Sequence, residues 1–174
     1  IKKMPYQENY NLKPLFPYDT SKACADMIAK SYASNLFNLP IVISRFSNIY
    51  GPGQLNFTAL IPDAITSCLK NKVLKMRGDG ESMRDFIHID DVINAIDLLI
   101  KSKKTHNKIF NIGTGKSTSL KELVQIISSV LKKRILIKEK KGTKGDFEVC
   151  CADISDISKK TKFKINWSLF DGIN

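Results

Sequence analysis

Pro17-Tyr18-Asp19-Thr20-Ser21-Lys22 opens a long helical segment, and its downstream neighbours decide how the chain folds. Residues i and i+4 of a helix share one face, so Tyr18 and Lys22 can aim a phenol and an ammonium at one point. A cation beside a tyrosine favours the phenolate and turns a weak acid into a proton-transfer group. The plain alternative is a surface tyrosine beside a surface lysine. With 28 lysines and arginines in the chain, one such spacing by chance would be no surprise. The pair takes its meaning from its neighbours.

Upstream, Pro5, Pro14 and Pro17 make residues 1–17 an extended loop. Downstream, Ala23, Met27, Ile28, Tyr32 and Leu36 recur at helical spacing from about Thr20 to Asn35, and Asn38-Leu39-Pro40 ends the helix. Ile41-Val42-Ile43 is an apolar, β-branched run of the kind buried in a parallel sheet. Arg45 to Gln54 comes directly after it, with Ser47 and Asn48 at the strand tip and Gly51-Pro52-Gly53 as a bend. Ligands bind at such carboxyl ends of strands in open α/β sheets.

The alternation of helix and strand then continues. Ala59–Leu69 reads as a helix with Pro62 in its first turn. Leu74–Arg77 and Arg84–Ile89 read as strands, and Asp90-Asp91 as caps of a helix to about Ser102 that turns Val92, Ile93, Ala95, Ile96, Leu99 and Ile100 inward. A strand at 108–112, a helix after Ser117-Thr118-Ser119, a short strand at 135–137, an extended piece at 149–152 and a helical turn from Asp153 to Lys160 complete the pattern. Trp167 is placed to anchor the end. The expected class is α/β.

Composition is ordinary for a globular chain of 174 residues: 43% hydrophobic and 26% charged. No apolar run approaches the roughly 20 residues that cross a bilayer. Ile1 rather than Met at the start suggests a truncated or processed piece. Four cysteines without C-x-x-C spacing, and only His88 and His106 beside them, give zinc little to bind and point to reduced, cytoplasmic thiols. The net charge of +11 lies almost wholly in the second half, since residues 100–174 hold 17 basic and 7 acidic residues. Those lysines fall in short clusters without interleaved aromatics. A solvated surface therefore fits them better than a nucleic-acid platform.

Two tempting motifs fail. Gly113-Thr114-Gly115-Lys116-Ser117 lacks the earlier glycine of a P-loop, because position 110 is Phe. The runs Gly51/Gly53, Gly78/Gly80 and Gly113/Gly115 have Asn56, Met83 and Thr118 where a dinucleotide fingerprint has its third glycine.

Four pieces together carry a resemblance: Pro17–Lys22; Arg45–Gln54; Gly78-Asp79-Gly80 with Arg84–Val92; and Phe110-Asn111-Ile112-Gly113-Thr114-Gly115. In this order the chain resembles the carboxyl-terminal half of an extended short-chain dehydrogenase/reductase of the nucleotide-sugar epimerase and 4,6-dehydratase group. Tyr18–Asp26 and Leu55–Pro62 are most similar to CDP-glucose 4,6-dehydratases. The resemblance implies a partial Rossmann-like parallel sheet with its amino-terminal half missing, plus a small α/β substrate-binding subdomain. It divides the chain into 1–57, the end of an NAD-binding domain, with a returning strand and helix at 84–105, and a nucleotide-sugar-binding subdomain at 58–83 and 106–174.

By the same resemblance Tyr18 is the acid/base at the sugar 4-hydroxyl. Lys22 favours its phenolate and binds the nicotinamide ribose, and Ser47 borders the nicotinamide. Asn48 reaches the substrate, Leu60 and Ile61 flank the base, Arg84 pairs with the diphosphate, and Asn111 joins the nucleotide pocket. The plain alternative for Arg84 is a pair with Asp85 or Asp91, and Leu60 and Ile61 suit a core equally well. NAD is the implied cofactor, tightly bound in a full-length parent, with a nucleotide diphosphate sugar as partner and a homodimer as assembly. Neither metal, nucleic acid nor membrane is implied. One family feature departs: Glu148 stands after Gly145-Asp146-Phe147, where many members carry an arginine giving a second phosphate contact. The family's glycine-rich loop, its Ser/Thr and the dehydratase acidic pair would lie before Ile1. Epimerase and dehydratase therefore stay unseparated, and the chain alone is expected to be inactive. A non-catalytic nucleotide or polyanion module, and a truncated remnant, remain the competing readings.

Overall fold

Pro17 takes the first turn of helix α1 (Pro17–Tyr32), where its missing N–H costs nothing. The helix therefore begins ahead of the expected start at Thr20. Thr20 Oγ1 and Ser21 Oγ donate to the carbonyls of Phe16 and Tyr18. The structure, a computed structural model, describes residues 4–34, 37, 39–141 and 148–174. The expected helix end at Asn35 to Asn38 and the Gly145-Asp146-Phe147 motif lie wholly or partly outside those residues.

Strand β1 (Val42–Phe46) comes next, then β2 (Asn48–Tyr50), α2 (Leu60–Leu69), β3 (Leu74–Arg77), β4 (Met83–Arg84) and β5 (Phe86–His88). Helix α3 (Ile89–Lys101) leads through a 3₁₀ turn to β6 (Lys108–Ile112), β7 (Thr118–Ser119), α4 (Leu120–Val130) and β8 (Ile137–Lys140). Helices α5 (Ser155–Thr161) and α6 (Leu169–Ile173) close the order. Among the described residues, three of the four strand pairings are parallel: β1 with β6, β2 with β5 and β3 with β8. The fourth, β4 with β7, is antiparallel. The α/β expectation with parallel strands holds.

Val42–Phe46 lies parallel and in register with Lys108–Ile112, so a strand of the expected second unit pairs with one of the first. Two apolar clusters form around this arrangement. One joins Ile61, Ala64 and Cys68 of α2 to Leu74, Leu123, Val124 and Ile127. The other joins Ile87, Val92, Ala95 and Leu99 to Phe110, Ile112, Ile157 and Phe163.

Several local expectations shift for identifiable reasons. The strand read across 84–89 breaks at Asp85, which turns its side chain into the protein, so β4 and β5 take different partners. The short strand expected at 135–137 forms two residues later, because its ladder is with β3 and not with its own apolar run. Helix α3 is capped by His88, whose imidazole accepts from the Asp90 N–H; Asp90 and Asp91 sit in its first turn instead. Ile93, Ile96 and Ile100, expected inward, are exposed along a second apolar stripe of α3, while Val92, Ala95 and Leu99 face the core. Strand β1 is only half-buried, since among the described residues one edge alone is paired.

Candidate functional site

Helix α1, the tips of β1 and β2, helix α2 and the edge strand β3 surround one cleft of about 1290 Å³. Tyr18, Lys22, Ser47, Asn48, Leu60, Ile61 and Arg84 all line it. Residues from well-separated parts of the sequence thus meet at one cavity. Lys22 Nζ stands over the Tyr18 ring, 5.3 Å from its centroid. The phenol is largely exposed to the cleft and to solvent.

Lys22 is the first of three charged groups on the Tyr18 row of α1, with Asp26 and Lys30 at successive i+4 positions. Buried Asp26 takes Arg45 Nε at 2.8 Å and Lys30 Nζ at 2.7 Å. Burial raises the Asp26 carboxyl, but the hydrogen bonds from Arg45 and Lys30 outweigh it and hold the group below its usual range. Arg45 also donates to the Glu8 carbonyl, tying the amino-terminal segment to the end of β1. Asp26 has Arg45 and Lys30 as its cations, and Lys22 keeps its ammonium over the tyrosine ring.

Ser47 and Asn48 owe their positions to Asp85. The wholly buried Asp85 carboxylate accepts from Thr114 N (2.9 Å), Thr114 Oγ1 (2.7 Å), Gly115 N (3.1 Å) and Ala152 N (3.3 Å). It also takes Ser47 Oγ at 3.4 Å. The Asp85 carbonyl accepts from both Asn48 N and Asn48 Nδ2. A Cβ at Gly113 would come within 2.6 Å of Asp85 Oδ2, so the glycine run that tempts a phosphate-loop reading instead wraps a carboxylate. Arg84, next in the chain, donates to the Met83 carbonyl at 2.9 Å and borders the cleft.

Asn111 does not line the cleft. Its amide donates to the Tyr6 carbonyl at 2.8 Å and its N–H to Glu8 Oε1, so it fastens residues 6–8 against β6. Leu60 and Ile61 serve both readings: Ile61 is buried in the α2 cluster and Leu60 packs on it, while both border the cavity. Sequence reading missed Asp26 with Arg45, Asp85, and the cations Lys75 and Arg77 of β3, which also line the cleft. The four-residue spacing of Lys22, Asp26 and Lys30 was the available signal for the first. The alternation of Lys75 and Arg77 with buried Leu74 and Met76 was the signal for the last.

A largely parallel α/β scaffold with a tyrosine–lysine helix, a polar strand tip and an arginine around one cleft is of the Rossmann-like type. The chain belongs to the NAD dependent epimerase/dehydratase family, whose model matches residues 2–113. A dTDP-D-glucose 4,6-dehydratase of Dictyostelium discoideum is 39% identical over 103 residues, covering 59% of this chain and 23% of that protein. A putative UDP-glucose 4-epimerase of Methanocaldococcus jannaschii is 38% identical over 126 residues, covering 71% and 40%. Among solved structures, dTDP-glucose 4,6-dehydratase from Bacillus anthracis in complex with NAD superposes with a TM-score of 0.90 at 30% identity, over 99% of this chain and 54% of that one. UDP-glucuronic acid 4-epimerase from Bacillus cereus, in complex with UDP-glucuronic acid and NAD, gives 0.92 at 29%, over 99% and 55%. The chain thus spans about half the length of those two solved structures.

Proposed function

We propose that the protein carrying this chain oxidises C4 of a nucleoside diphosphate sugar, as the first step of a 4-epimerase or 4,6-dehydratase reaction. The observation that carries the proposal is the convergence of Tyr18, Lys22, Ser47 and Arg84 on one cleft. The residues present suit the nicotinamide end of NAD: the strand tip at Ser47 and the ammonium of Lys22 border the same space as the phenol of Tyr18. NAD held there would supply the acceptor for the hydride that leaves C4 with the electron pair of its C–H bond. Tyr18, as phenolate, takes the proton of the 4-hydroxyl, so the alcohol becomes a ketone. The adjacent ammonium of Lys22 stabilises the phenolate and holds a ribose hydroxyl. Arg84 binds diphosphate oxygens through its planar fork. Leu60 and Ile61 give the base an apolar wall, and Asn48 fixes the sugar side.

The outer face of α1, with Met27, Ile28 and Tyr32 exposed, supplies an apolar surface for the homodimer this reading includes. The choice between epimerisation and dehydration depends on groups other than these. The test is Tyr18→Phe in the protein at its natural length, assayed for NAD reduction and keto-sugar formation over UDP-, dTDP- and CDP-sugars. A loss of about 100-fold or more is expected for a general acid/base. Undiminished turnover would overturn the assignment.

A further inference from the structure

Helix α1 sets two i,i+4 pairs in tandem on one row, Tyr18 with Lys22 and Asp26 with Lys30. The Cα–Cβ bonds of a helix tilt toward its amino-terminus, so each lysine leans back onto the partner one turn before it. Lys22 Nζ accordingly stands over the Tyr18 ring, and Lys30 Nζ lies 2.7 Å from Asp26 Oδ1. Asp26 is nonetheless as close in sequence to Lys22 as to Lys30. Among the described residues no acidic side chain pairs with Lys22. The second Asp26 oxygen is occupied from outside the helix: Arg45 Nε of β1 donates to Oδ2 at 2.8 Å. Asp26 is buried and Lys30 is exposed, so Arg45 is the shielded partner of the two. A buried carboxylate deprived of such a partner is an uncompensated charge, and it attracts another cation within reach. On this row that cation is Lys22, whose flexible four-carbon stem lets its ammonium swing between neighbouring turns.

We propose that Arg45 is a positioning residue for the acid/base pair: by holding Asp26 from the strand, it keeps that carboxylate from drawing Lys22 off Tyr18. The inference rests on the C4-oxidation reading of the cleft and adds the group that keeps its lysine in place. The Arg45 guanidinium is itself fixed from a further side, since Nη1 donates to the Glu8 carbonyl at 2.9 Å. Arg45 precedes Ser47 by two residues, so the same ion pair ties the helix bearing the phenol to the strand tip beside it. The other charged groups of the cleft wall are Asp63 on α2, Lys75 and Arg77 on β3 and Arg84 on β4, and Asp19 follows Tyr18 on α1. They set the general field around the phenol. Lys22 supplies the cation directly over it.

The experiment uses the protein at its natural length with Arg45→Gln, with Arg45→Gln and Asp26→Asn combined, and with Lys30→Gln. The Tyr18 phenolate is titrated by ultraviolet absorbance without substrate, as the difference from the same protein carrying Tyr18→Phe. The pH dependence of kcat/KM for NAD reduction is measured over UDP-, dTDP- and CDP-sugars. In Arg45→Gln the phenolate titration and the acid limb of activity should both move up by about one pH unit or more, the scale on which an opposite charge acts on its neighbour. Turnover at neutral pH should fall about tenfold, with KM for the sugar nucleotide nearly unchanged. The combined variant leaves no carboxylate to draw Lys22 away, so most of the shift should be restored. Lys30→Gln, at an exposed position, frees the other Asp26 oxygen and should give a smaller shift in the same direction. A phenolate titration unmoved in folded Arg45→Gln, or in Lys30→Gln where Arg45→Gln does not fold, overturns the inference. A combined variant shifted as far as Arg45→Gln alone also overturns it. Undiminished turnover in Tyr18→Phe overturns the C4-oxidation reading, whereas a loss there with an unmoved titration in Arg45→Gln removes only the role of Arg45.

Discussion

Asp85 shows how one buried side chain can place several functional groups. Its carboxylate gathers donors from Ser47, Thr114, Gly115 and Ala152, and its carbonyl holds Asn48. Replacing it with Asn keeps the shape but turns an NH₂ group toward donors that then lack an acceptor. A loss of about 2–4 kcal/mol is expected, since each buried donor left unsatisfied costs about 1–3 kcal/mol. Urea denaturation measures it; a midpoint unchanged in Asp85→Asn would show that the clamp adds nothing to folding. Asp26 differs because its partners are cations. Its native carboxyl titrates below the ordinary value of 3.8, so it stabilises the fold above that value and loses the contribution as pH falls through the lower native value. Asp26→Asn should therefore cost stability at neutral pH, about 1–3 kcal/mol given the partly exposed partners, and flatten the acid limb of the stability curve. Thermal melts of both proteins across acid pH check the sign.

Among the elements, the carboxyl-terminal segment depends on α3 and β5. Asp91 accepts from Asn166 N, Asn166 Nδ2 and Trp167 N, and Trp167 stacks on His88 with ring centroids 4.4 Å apart. Tyr50 donates to the Ser168 carbonyl, and burial, with help from Asp91 and Asp171, pushes its phenol up to about 12. The protonated phenol is thus favoured in the folded state. Stability should hold below the ordinary value of 10.0 and fall as pH rises from there toward 12. Tyr50→Phe should make that alkaline fall shallower, measured by circular dichroism across the range; an equally steep fall would remove Tyr50 as its cause. Much of this layer was legible in sequence: the periodicity found α2, α3 and α4, and Trp167 was placed as an anchor. What was not legible were contacts between distant segments. Asp90-Asp91 looks like a capping pair, yet the cap is His88 and Asp91 serves a segment about 75 positions away. Asn111 sits at a strand tip like Ser47, but only the fold shows that residues 6–8 occupy its hydrogen bonds.

Across the whole molecule, two helices leave apolar stripes exposed and the charge is unevenly spread. The second stripe of α3 leaves Ile93 at 58% and Ile100 at 73% exposure, and α1 leaves Met27 at 64%. Isolated exposed apolar residues are ordinary, but stripes along two helices mark surfaces that bury against other protein. The net charge sits mainly in residues 100–174, and β8 pairs part of it with β3, whose Lys75 and Arg77 line the cleft. Such a chain holds the proposed acid/base pair, while none of its G-x-G runs has the third glycine of a dinucleotide fingerprint. A polypeptide of residues 1–174 alone should therefore self-associate through the exposed stripes, which sedimentation would detect as a concentration-dependent mass. It should also bind NAD far more weakly than the natural-length protein while retaining part of the nucleoside diphosphate affinity, because the two ligands draw on different parts of the cleft. Parallel calorimetric titrations with NAD and UDP separate these outcomes. Micromolar NAD binding to residues 1–174 would mean that Tyr18, Lys22 and Ser47 hold the cofactor without a glycine-rich loop, and the proposed division of labour between the two ends of the cleft would fall.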